Sequence, residues 1–250
     1  VHVDSVAGAS GILHATLYNM EKLVFGSGRD TLDLTTYFQP ANATLTGTAQ
    51  NDLLTVTSKS AAVDGLGGLD TVALGTAAAS DFTLQASATG YTLVRKDGTG
   101  TISLSNVERL SFSDQKIALD LGDTGNAASV AKILGAVFGP SAVANKEYAG
   151  IGLYYKDVLG YSYNALMQLA IDARLGAGAS HGAVVDLLYT NVVGQAPGKA
   201  DHDTFVTLLD DHTYSVASLG VMAANHGLNT EHIHLTGLAQ TGLAYLPQGS

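Results

Sequence analysis

The spacing of hydrophobic residues divides the chain into two parts near Leu121. Before that point, apolar and polar residues alternate in short runs such as LLTV, DFTLQA and TISL, and Gly, Asp, Asn and Ser separate the runs. Alternation with a period of two is typical of half-buried β-strands, and the separating residues favour turns. Asp97–Gly98, between YTLV and TISL, predicts a hairpin. We therefore predict an all-β domain over residues 1–121.

From Ala127 onward the apolar residues recur three and four positions apart, and this pattern predicts an all-α bundle of about five to seven helices over residues 122–250. The last helical run, EHIHLTGLAQTGLAYL, covers residues 231–246. The predicted fold class is thus α+β, with strands and helices in two segregated units. Residues typical of helix N-caps and of glycine stops punctuate the helical part. The predicted N-caps are Ser162, Ser180, Ser215 and Asn229, and the predicted stops are Gly160, Gly176, Gly194 and Gly227.

One phrase occurs twice in the β part. NMEKLVFGSGRDTLDL (Asn19–Leu34) returns without a gap 87 positions later as NVERLSFSDQKIALDL (Asn106–Leu121). Because apolar positions repeat together with the charged ones, we interpret the phrase as a duplicated strand unit rather than as a catalytic pair. In the second copy, Leu110 and Phe112 alternate with polar neighbours and are predicted to face the core. The Glu108–Arg109 pair is interpreted as a surface ion pair of little energetic value.

The composition limits the kinds of binding partner that we expect for this chain. The 250 residues carry a net charge of −10 without a basic patch, so nucleic acid and anionic membrane surfaces are not expected partners, whereas a cation is compatible. No cysteine is present, which excludes disulfides and thiolate metal sites. No apolar run is long enough to span a bilayer. Since the sequence begins with Val1, we expect it to be a piece of a longer protein or a processed product.

Two turns in the β part carry the residues of a calcium site. In Gly47–Val56 and again in Gly65–Leu74, a glycine is followed five residues later by an aspartate and then by a short apolar strand. The interval from Asp52 to Asp70 is the same as the interval between the two glycines, and we call it the turn interval. Calcium needs hard oxygen ligands from carboxylates and backbone carbonyls, and glycine lets a turn bend so that its carbonyls point inward. The pattern therefore indicates calcium-type turns.

These turns resemble the Gly-Gly-x-Gly-x-Asp nonapeptide repeats of RTX proteins, which type I systems of Gram-negative bacteria secrete. Such repeats form a parallel β-roll with two nonapeptides in each turn. The turn interval equals two nonapeptides, so it would stack Asp52 on Asp70. The resemblance implies a β-roll or β-solenoid-like domain over residues 1–121, with calcium as the bound ion. The matching positions are Gly47, Asn51 and Asp52 in the first turn and Gly65, Gly68 and Asp70 in the second.

The chain departs from the RTX pattern at Gln50 and Leu66, which stand where glycines are expected, and the intervening nonapeptide TVTSKSAAV lacks the glycines and the aspartate. FGSGRDTLDL, which contains Asp30, fits a third, isolated turn. Asp64 is a candidate for an additional calcium oxygen. The alternative interpretation is that these are structural turns that no longer bind a metal ion.

The helical part is similar to a domain of unknown function found at the C-terminal end of RTX-type and surface-layer-type proteins. LLYTNVVGQAP (Leu187–Pro197) and the tail HIHLTGLAQTGLAYL (His232–Leu246) carry this similarity. Both resemblances concern fold and architecture, and they imply no particular molecular activity.

No catalytic motif appears: G-x-S-x-G, H-E-x-x-H and a phosphate-binding glycine loop are all missing from the sequence. The nearest metal-like cluster contains His226, Glu231, His232 and His234. His232 and His234 are two positions apart, so on a helix they would point to different faces. We predict no catalytic and no cofactor-binding residues in this segment other than the calcium ligands.

The predicted function is that of a non-catalytic C-terminal module of a secreted or cell-surface RTX-like protein, with a calcium-stabilised structural, adhesive or surface-layer role and export by type I secretion. Besides calcium, its expected partners are cell-surface, host or matrix components. Two alternatives stay open. One is a secretion and folding module of a secreted hydrolase whose catalytic domain lies upstream. The other is a helical module that binds a ligand or a protein, which an apolar pocket among the tyrosine-bearing helices would favour.

Overall fold

The structure is a computed structural model that describes residues 43–248 and, by their backbone, the strands at residues 22–25 and 30–33. It divides into two compact units, Val1–Ala41 and Asn42–Ser250. Strands come first along the chain and helices follow, so the predicted α+β class is confirmed.

The strands of the described residues are short. They are β1 (Lys22–Phe25), β2 (Asp30–Asp33), β3 (Ala43–Thr46), β4 (Leu53–Thr55), β5 (Ala61–Asp64), β6 (Thr71–Ala73), β7 (Phe82–Ser87), β8 (Gly90–Arg95), β9 (Thr101–Ser105), β10 (Arg109–Ser111), β11 (Lys116–Ala118) and β12 (Leu243–Tyr245). The α-helices are α1 (Asn126–Ile133), α2 (Lys146–Leu153), α3 (Tyr163–Leu175), α4 (His181–Val193), α5 (Lys199–Asp210), α6 (Val216–Ala224), α7 (Gly227–His232) and α8 (Leu235–Thr241). π-Helical turns extend α1 and α2, at Leu134–Phe138 and Tyr154–Val158.

Both copies of the repeated phrase form antiparallel hairpins. In the first unit, β1 pairs with β2, and Leu23 lies opposite Leu32. In the second unit, β10 pairs with β11, and Leu110 lies opposite Ile117. The like backbones agree with a duplicated strand unit, although the pairing register of the second hairpin is shifted by two residues relative to the first.

The second unit contains two five-stranded sheets, in the orders β3-β5-β9-β8-β7 and β12-β11-β10-β6-β4. β3, β5 and β9 pair in parallel, and so do β4, β6 and β10. Ala43 lies opposite Ala61 and Leu53 opposite Thr71, so the turn interval of the sequence is the register of the pairs β3–β5 and β4–β6. β9 and β10 follow the hairpin β7–β8 and pair with β5 and β6 at longer intervals. The other pairs are antiparallel. Both sheets are therefore mixed, and the uniform parallel pairing of a β-solenoid over residues 1–121 is not supported.

The two sheets share a core that the strand alternation predicts. In β5, Ala61 and Val63 are buried while Ala62 is exposed. Leu110 and Phe112 are buried in the same core, as their alternation indicated. Asp97–Gly98 forms the predicted turn of the antiparallel hairpin β8–β9, and Gly98 has a φ of +73°, a value that favours glycine.

Most predicted helix boundaries are confirmed. Ser162, Ser180 and Ser215 cap α3, α4 and α6, and each side chain accepts a backbone N–H from the first turn. Gly176 and Gly194 end α3 and α4 with positive φ angles. Gly160 follows the π-helical turn after α2 with a φ of +68°.

The predicted boundaries near the C-terminus are wrong. Gly227 begins α7 rather than ending a helix, and the side chain of His226, rather than that of Asn229, caps it. Asn229 is buried within α7, and its Nδ2 donates to the carbonyl oxygens of Lys132 and Ala224. Carbonyls near the ends of two other helices thus fix the position of the Asn229 amide. Such distant contacts cannot be predicted from local helix propensity.

The run 231–246 is not one helix. α7 and α8 are separated at His234, which has a left-handed φ of +52°, and the chain then returns to the sheet as β12, antiparallel to β11. Helical spacing failed there because the free edge of β11 offers backbone hydrogen bonds that outweigh local propensity. The boundary predicted between residues 121 and 122 coincides with the change from strands to helices and stays a prediction as a domain limit. None of the helices in the described part of the chain is long and apolar enough to cross a bilayer.

Candidate functional site

The residues predicted to bind calcium lie where successive parallel strands end. The turns Gly47–Asp52, Gly65–Asp70 and Asn106–Glu108 follow β3, β5 and β9, and we call these three segments the turn stack. Gly47 donates its N–H to the carbonyl of Asp64 at 2.8 Å, and Gly65 donates to the carbonyl of Ser105 at 3.0 Å. The turns therefore continue the parallel ladder beyond the strands.

Carboxylates connect the three layers of the turn stack. The N–H of Asp52 donates to Asp70 Oδ1 at 2.8 Å, and the N–H of Asp70 donates to Glu108 Oε2 at 2.8 Å. Asp52 itself accepts from the N–H of Thr48 at 2.6 Å and from its hydroxyl at 2.9 Å, both through Oδ2. Each carboxylate thus satisfies a backbone donor that the strand ladder leaves free at the turn. The structure brings Asp52 and Asp70 together as the turn interval indicated.

Asp70 differs from the other carboxylates of the turn stack because it is fully buried. Its exposed fraction is 0%, and its Oδ2 is buried without a hydrogen-bond partner among the described residues. Among the residues that the structure describes, no cationic side chain forms an ion pair with it. Taking a carboxylate out of water without a compensating charge costs several kcal/mol or more. Among the described residues of the turn stack, Asp70 Oδ2 is therefore the side-chain oxygen whose burial is not compensated.

The predicted glycines permit the close approach of the layers. A Cβ added at Gly65 would lie 2.0 Å from the carbonyl oxygen of Asn106 and 2.5 Å from Asp70 Oδ2. One added at Gly47 would lie 2.5 Å from the carbonyl oxygen of Gly65. Gly68 has a φ of +121° and packs on the backbone of Gln50. Leu66, which replaces an expected glycine, nevertheless adopts a left-handed φ of +68°, so the backbone keeps the turn conformation.

Asn51 and Asp64 hold neighbouring layers together. Asn51 Oδ1 accepts the N–H of Leu69 at 2.8 Å, and Asp64 Oδ1 accepts from Asn106 Nδ2 at 2.8 Å and from the N–H of Leu66 at 3.1 Å. The hydrogen bond from Asn106, followed by that from Leu66, lowers the pKa of Asp64. The side-chain oxygens of Asn51 and Asp64 therefore accept hydrogen bonds within the turn stack.

The third predicted turn falls largely outside the described residues. Asp30 begins strand β2, but its side chain is not described, and Gly26 and Gly28 lie outside the described residues.

The oxygens of the turn stack are of the type that a hard cation requires. Asp52 Oδ1 and Asp70 Oδ2 accept no hydrogen bond from a described residue, and they belong to adjacent layers. Calcium takes six to eight oxygens, so backbone carbonyls would have to complete the site. Within residues 43–248, no group of three or more His, Cys, Asp or Glu side chains is arranged to hold a metal ion. The side chains of the described turn stack thus offer two carboxylate oxygens of the type that calcium prefers, and backbone carbonyls would have to supply the other ligands.

Glu108 and Arg109 do not form the predicted surface ion pair. Arg109 is only 2% exposed and makes a bidentate pair with Asp157, at 2.9 Å for both Nε and Nη2. Its Nη1 donates to Asp120 Oδ1 and to the carbonyl of Glu108. Asn126 completes this group, which we call the arginine cluster, by donating Nδ2 to Asp157 at 2.8 Å. The prediction failed because Asp120 and Asp157 come from elements that only the fold brings to Arg109.

The pKa values of Glu108 and Arg109 are both raised, but for different reasons. Burial alone would lower the pKa of Arg109, but Asp120 and then Asp157 outweigh it and raise that pKa. Burial raises the pKa of Glu108, the hydrogen bond from Asp70 opposes that rise, and the charges of Asp70 and Asp120 add to it. Glu108 is thus the third carboxylate of the turn stack, and the sequence analysis missed it. The hairpin β7–β8 separates it from Asp70, so the turn interval does not lead to it.

The histidines serve local structure among the described residues. His226 Nδ1 accepts the N–H of Leu228, and His181 Nδ1 lies 2.6 Å from Asp210 Oδ1. His202 lies 3.7 Å from Asp186. None of them belongs to a metal-holding group in that part of the chain.

In comparisons with known proteins, no family model matches the chain, and neither the curated proteins nor the solved structures yield a match.

Proposed function

We propose that the chain is a non-catalytic structural module of a secreted or cell-surface RTX-like protein, and that calcium stabilises its turn stack. The observation that carries the proposal is the fully buried Asp70 carboxylate, whose Oδ2 has no hydrogen-bond partner in the part of the chain that the structure describes. The pairs β3–β5 and β4–β6, which are parallel at the turn interval, and the parallel pair β5–β9 support a short β-roll of three layers, into which the hairpin β7–β8 is inserted. The RTX-like origin, the export by a type I system and the adhesive or surface-layer role depend on the sequence resemblance.

Asp52 Oδ1 and Asp70 Oδ2 would hold the ion, together with backbone carbonyls of their turns. Bound calcium would supply the positive charge that the buried carboxylate lacks. The chain's own contribution is to arrange the layers: Gly47 and Gly65 allow the close approach, and the hydrogen bond from Asp52 to Asp70 sets the spacing of the carboxylates.

The arrangement also suggests a coupling between calcium and folding. At the low calcium concentration of the cytosol, the buried charge of Asp70 disfavours closure of the turns. At the millimolar concentration outside the cell, binding to the folded state alone stabilises it, by about 2.7 kcal/mol when the ion is at 100 times its Kd. Secretion in a loose state followed by folding outside is the expected consequence.

Thermal unfolding with EGTA and with 5–10 millimolar calcium, a range of about the extracellular magnitude, tests the proposal. We expect calcium to raise Tm of the wild type, magnesium to raise it much less, and Asp70→Asn to abolish the response. Asp123→Asn is the matched control, since it removes one charge from an exposed residue outside the turn stack.

Two outcomes contradict calcium binding. One is a wild-type Tm that is the same in EGTA and in calcium. The other is an Asp70→Asn variant that melts above the wild type in both solutions, because it would mean that the buried charge is a cost that no ion offsets.

A further inference from the structure

An apolar cavity of about 430 Å³ lies in the helical part, between α4, α5, α6 and the beginning of α7. Its walls are largely aliphatic and aromatic, from residues such as Leu188, Val192, Phe205, Leu219 and Leu228. This volume is in the range of small-molecule sites, which are mostly apolar with a few polar groups. The turn stack contributes no residue to the cavity, so it is a separate feature of the molecule.

Helix α5 packs incompletely over this cavity. Leu209, near its C-terminal end, is its only buried residue, whereas Phe205 is half-buried beside the empty space. Phe205 contacts Tyr189 of α4 in an edge-to-face arrangement, with 6.3 Å between the ring centroids. The cavity is partly open to solvent, so an apolar ligand in it would remove the apolar surface of Phe205 and its neighbours from water.

The polar groups of the cavity define the ligand's head group. Asp201 Oδ2 accepts the hydroxyl of Tyr189 at 2.9 Å, while its other oxygen accepts no hydrogen bond from a described residue. The hydrogen bond to Asp201 raises the pKa of Tyr189, which therefore stays a neutral donor. No lysine or arginine lines the cavity, so an anionic head group would meet a carboxylate without a compensating cation.

His226 is also in the lining, and its Nδ1 accepts the N–H of Leu228 at 3.2 Å.

We propose that this cavity binds a small amphipathic amine, whose apolar body fills the space between α4, α5 and α6 and whose ammonium group pairs with Asp201. This site is independent of the calcium proposal. A second cavity of about 260 Å³, lined by Val130, Phe138, Tyr148, Leu166 and Ala173 among others, has no charged residue in its lining and serves as an internal reference.

Isothermal titration of the full chain with decylammonium, decanol and decanoate, each below its micelle concentration, tests the head group at constant chain length. We expect the amine to bind about two- to fivefold more tightly than the alcohol, the range of a solvent-exposed ion pair, and the carboxylate to bind most weakly. Asp201→Asn should reduce the affinity for the amine to that for the alcohol. Because Asp201 is exposed, this substitution does not threaten the fold.

Ala223→Phe, which places a ring in the cavity, should abolish binding of all three compounds. Ala173→Phe is the matched control in the second cavity and should leave the three affinities unchanged. Far-UV circular dichroism verifies that both variants fold. The proposal is overturned if none of the compounds binds the wild type, if Ala173→Phe rather than Ala223→Phe removes binding, or if Asp201→Asn leaves the preference for the amine intact.

Discussion

The turn stack and the arginine cluster meet at consecutive residues, Glu108 and Arg109, yet they differ in how far their buried charges are compensated. In the arginine cluster every N–H of the guanidinium has an acceptor, and two carboxylates balance the cation. In the turn stack the carboxylate of Asp70 has one donor, one free oxygen and no cation among the described residues. The first site balances its charge with side chains of the chain itself, whereas the second leaves one buried carboxylate oxygen that no described residue satisfies.

The two sites also differ in what holds them together. The arginine cluster joins β10 to Asp120, which accepts the N–H groups of Asn126 and Ala127 at the beginning of α1, and to Asp157 after α2. It therefore connects the sheet to the helices by charge. The turn stack depends instead on backbone proximity, since glycines allow its layers to touch. Substitutions can distinguish the dependence of the arginine cluster on charge from the dependence of the turn stack on backbone proximity.

The largest effect is expected from Arg109→Met. The substitution leaves Asp120 and Asp157 largely removed from water and without the guanidinium, at side-chain exposures of 14% and 11%. Breaking a buried pair in this way typically lowers the free energy of unfolding by about 3–5 kcal/mol. Denaturant titration measures the loss. Arg174→Met, at an exposed position, is the control, and a loss of less than about 1 kcal/mol at Arg109 would contradict the view that this cluster is a closed charge site.

A smaller effect is expected from Gly65→Ala. The new Cβ would lie 2.0 Å from the carbonyl oxygen of Asn106, so the layers must separate, at a cost of about 3 kcal/mol. The same titration measures this change, and the wild-type response to calcium should weaken with it. In Gly122→Ala the added Cβ meets no atom within 4 Å, and this variant should unfold like the wild type. Equal stability of the two variants would mean that the stack does not depend on close approach.

The smallest effect is expected from Glu108→Gln, which keeps an acceptor for the N–H of Asp70 and removes a charge. Because burial raises the pKa of Glu108, the native state binds a proton more tightly than the unfolded state. The contribution of Glu108 to stability is then fully present below its ordinary pKa of 4.5 and is lost as pH rises through the raised value. At pH 7 the variant should therefore equal or exceed the wild type, by less than about 1 kcal/mol, since the group is partly solvated.

The difference between Glu108→Gln and the wild type should vanish when both are titrated with denaturant near pH 4.5, the ordinary pKa of a glutamate. Glu231→Gln, which removes a charge from an exposed residue, should show no such pH dependence. A variant that is less stable than the wild type at pH 7 would mean that the negative charge of Glu108 holds the stack together.

Local patterns predicted much of the fold and part of the candidate site. The serine caps, the turn at Gly98 and the buried Leu110 were correct because each depends on residues within a few positions. Asp52 and Asp70 were found because the turn interval between them is also the register of the parallel strands. Glu108 was missed, because its bond to Asp70 joins residues 38 positions apart across an inserted hairpin.

The amino-acid sequence by itself determined the order of strands and helices, the turn positions of the glycines and the net negative charge. These features follow from side-chain periodicity, backbone freedom and composition, which act over short distances. Only the tertiary structure decided that Arg109 is buried between Asp120 and Asp157 and that residues 243–245 leave the helices for the edge of β11. It also decided that Asp70 Oδ2 is buried where no described residue donates to it. These depend on which distant groups meet once water is excluded, because a buried charge or a free sheet edge takes its partner from anywhere in the chain.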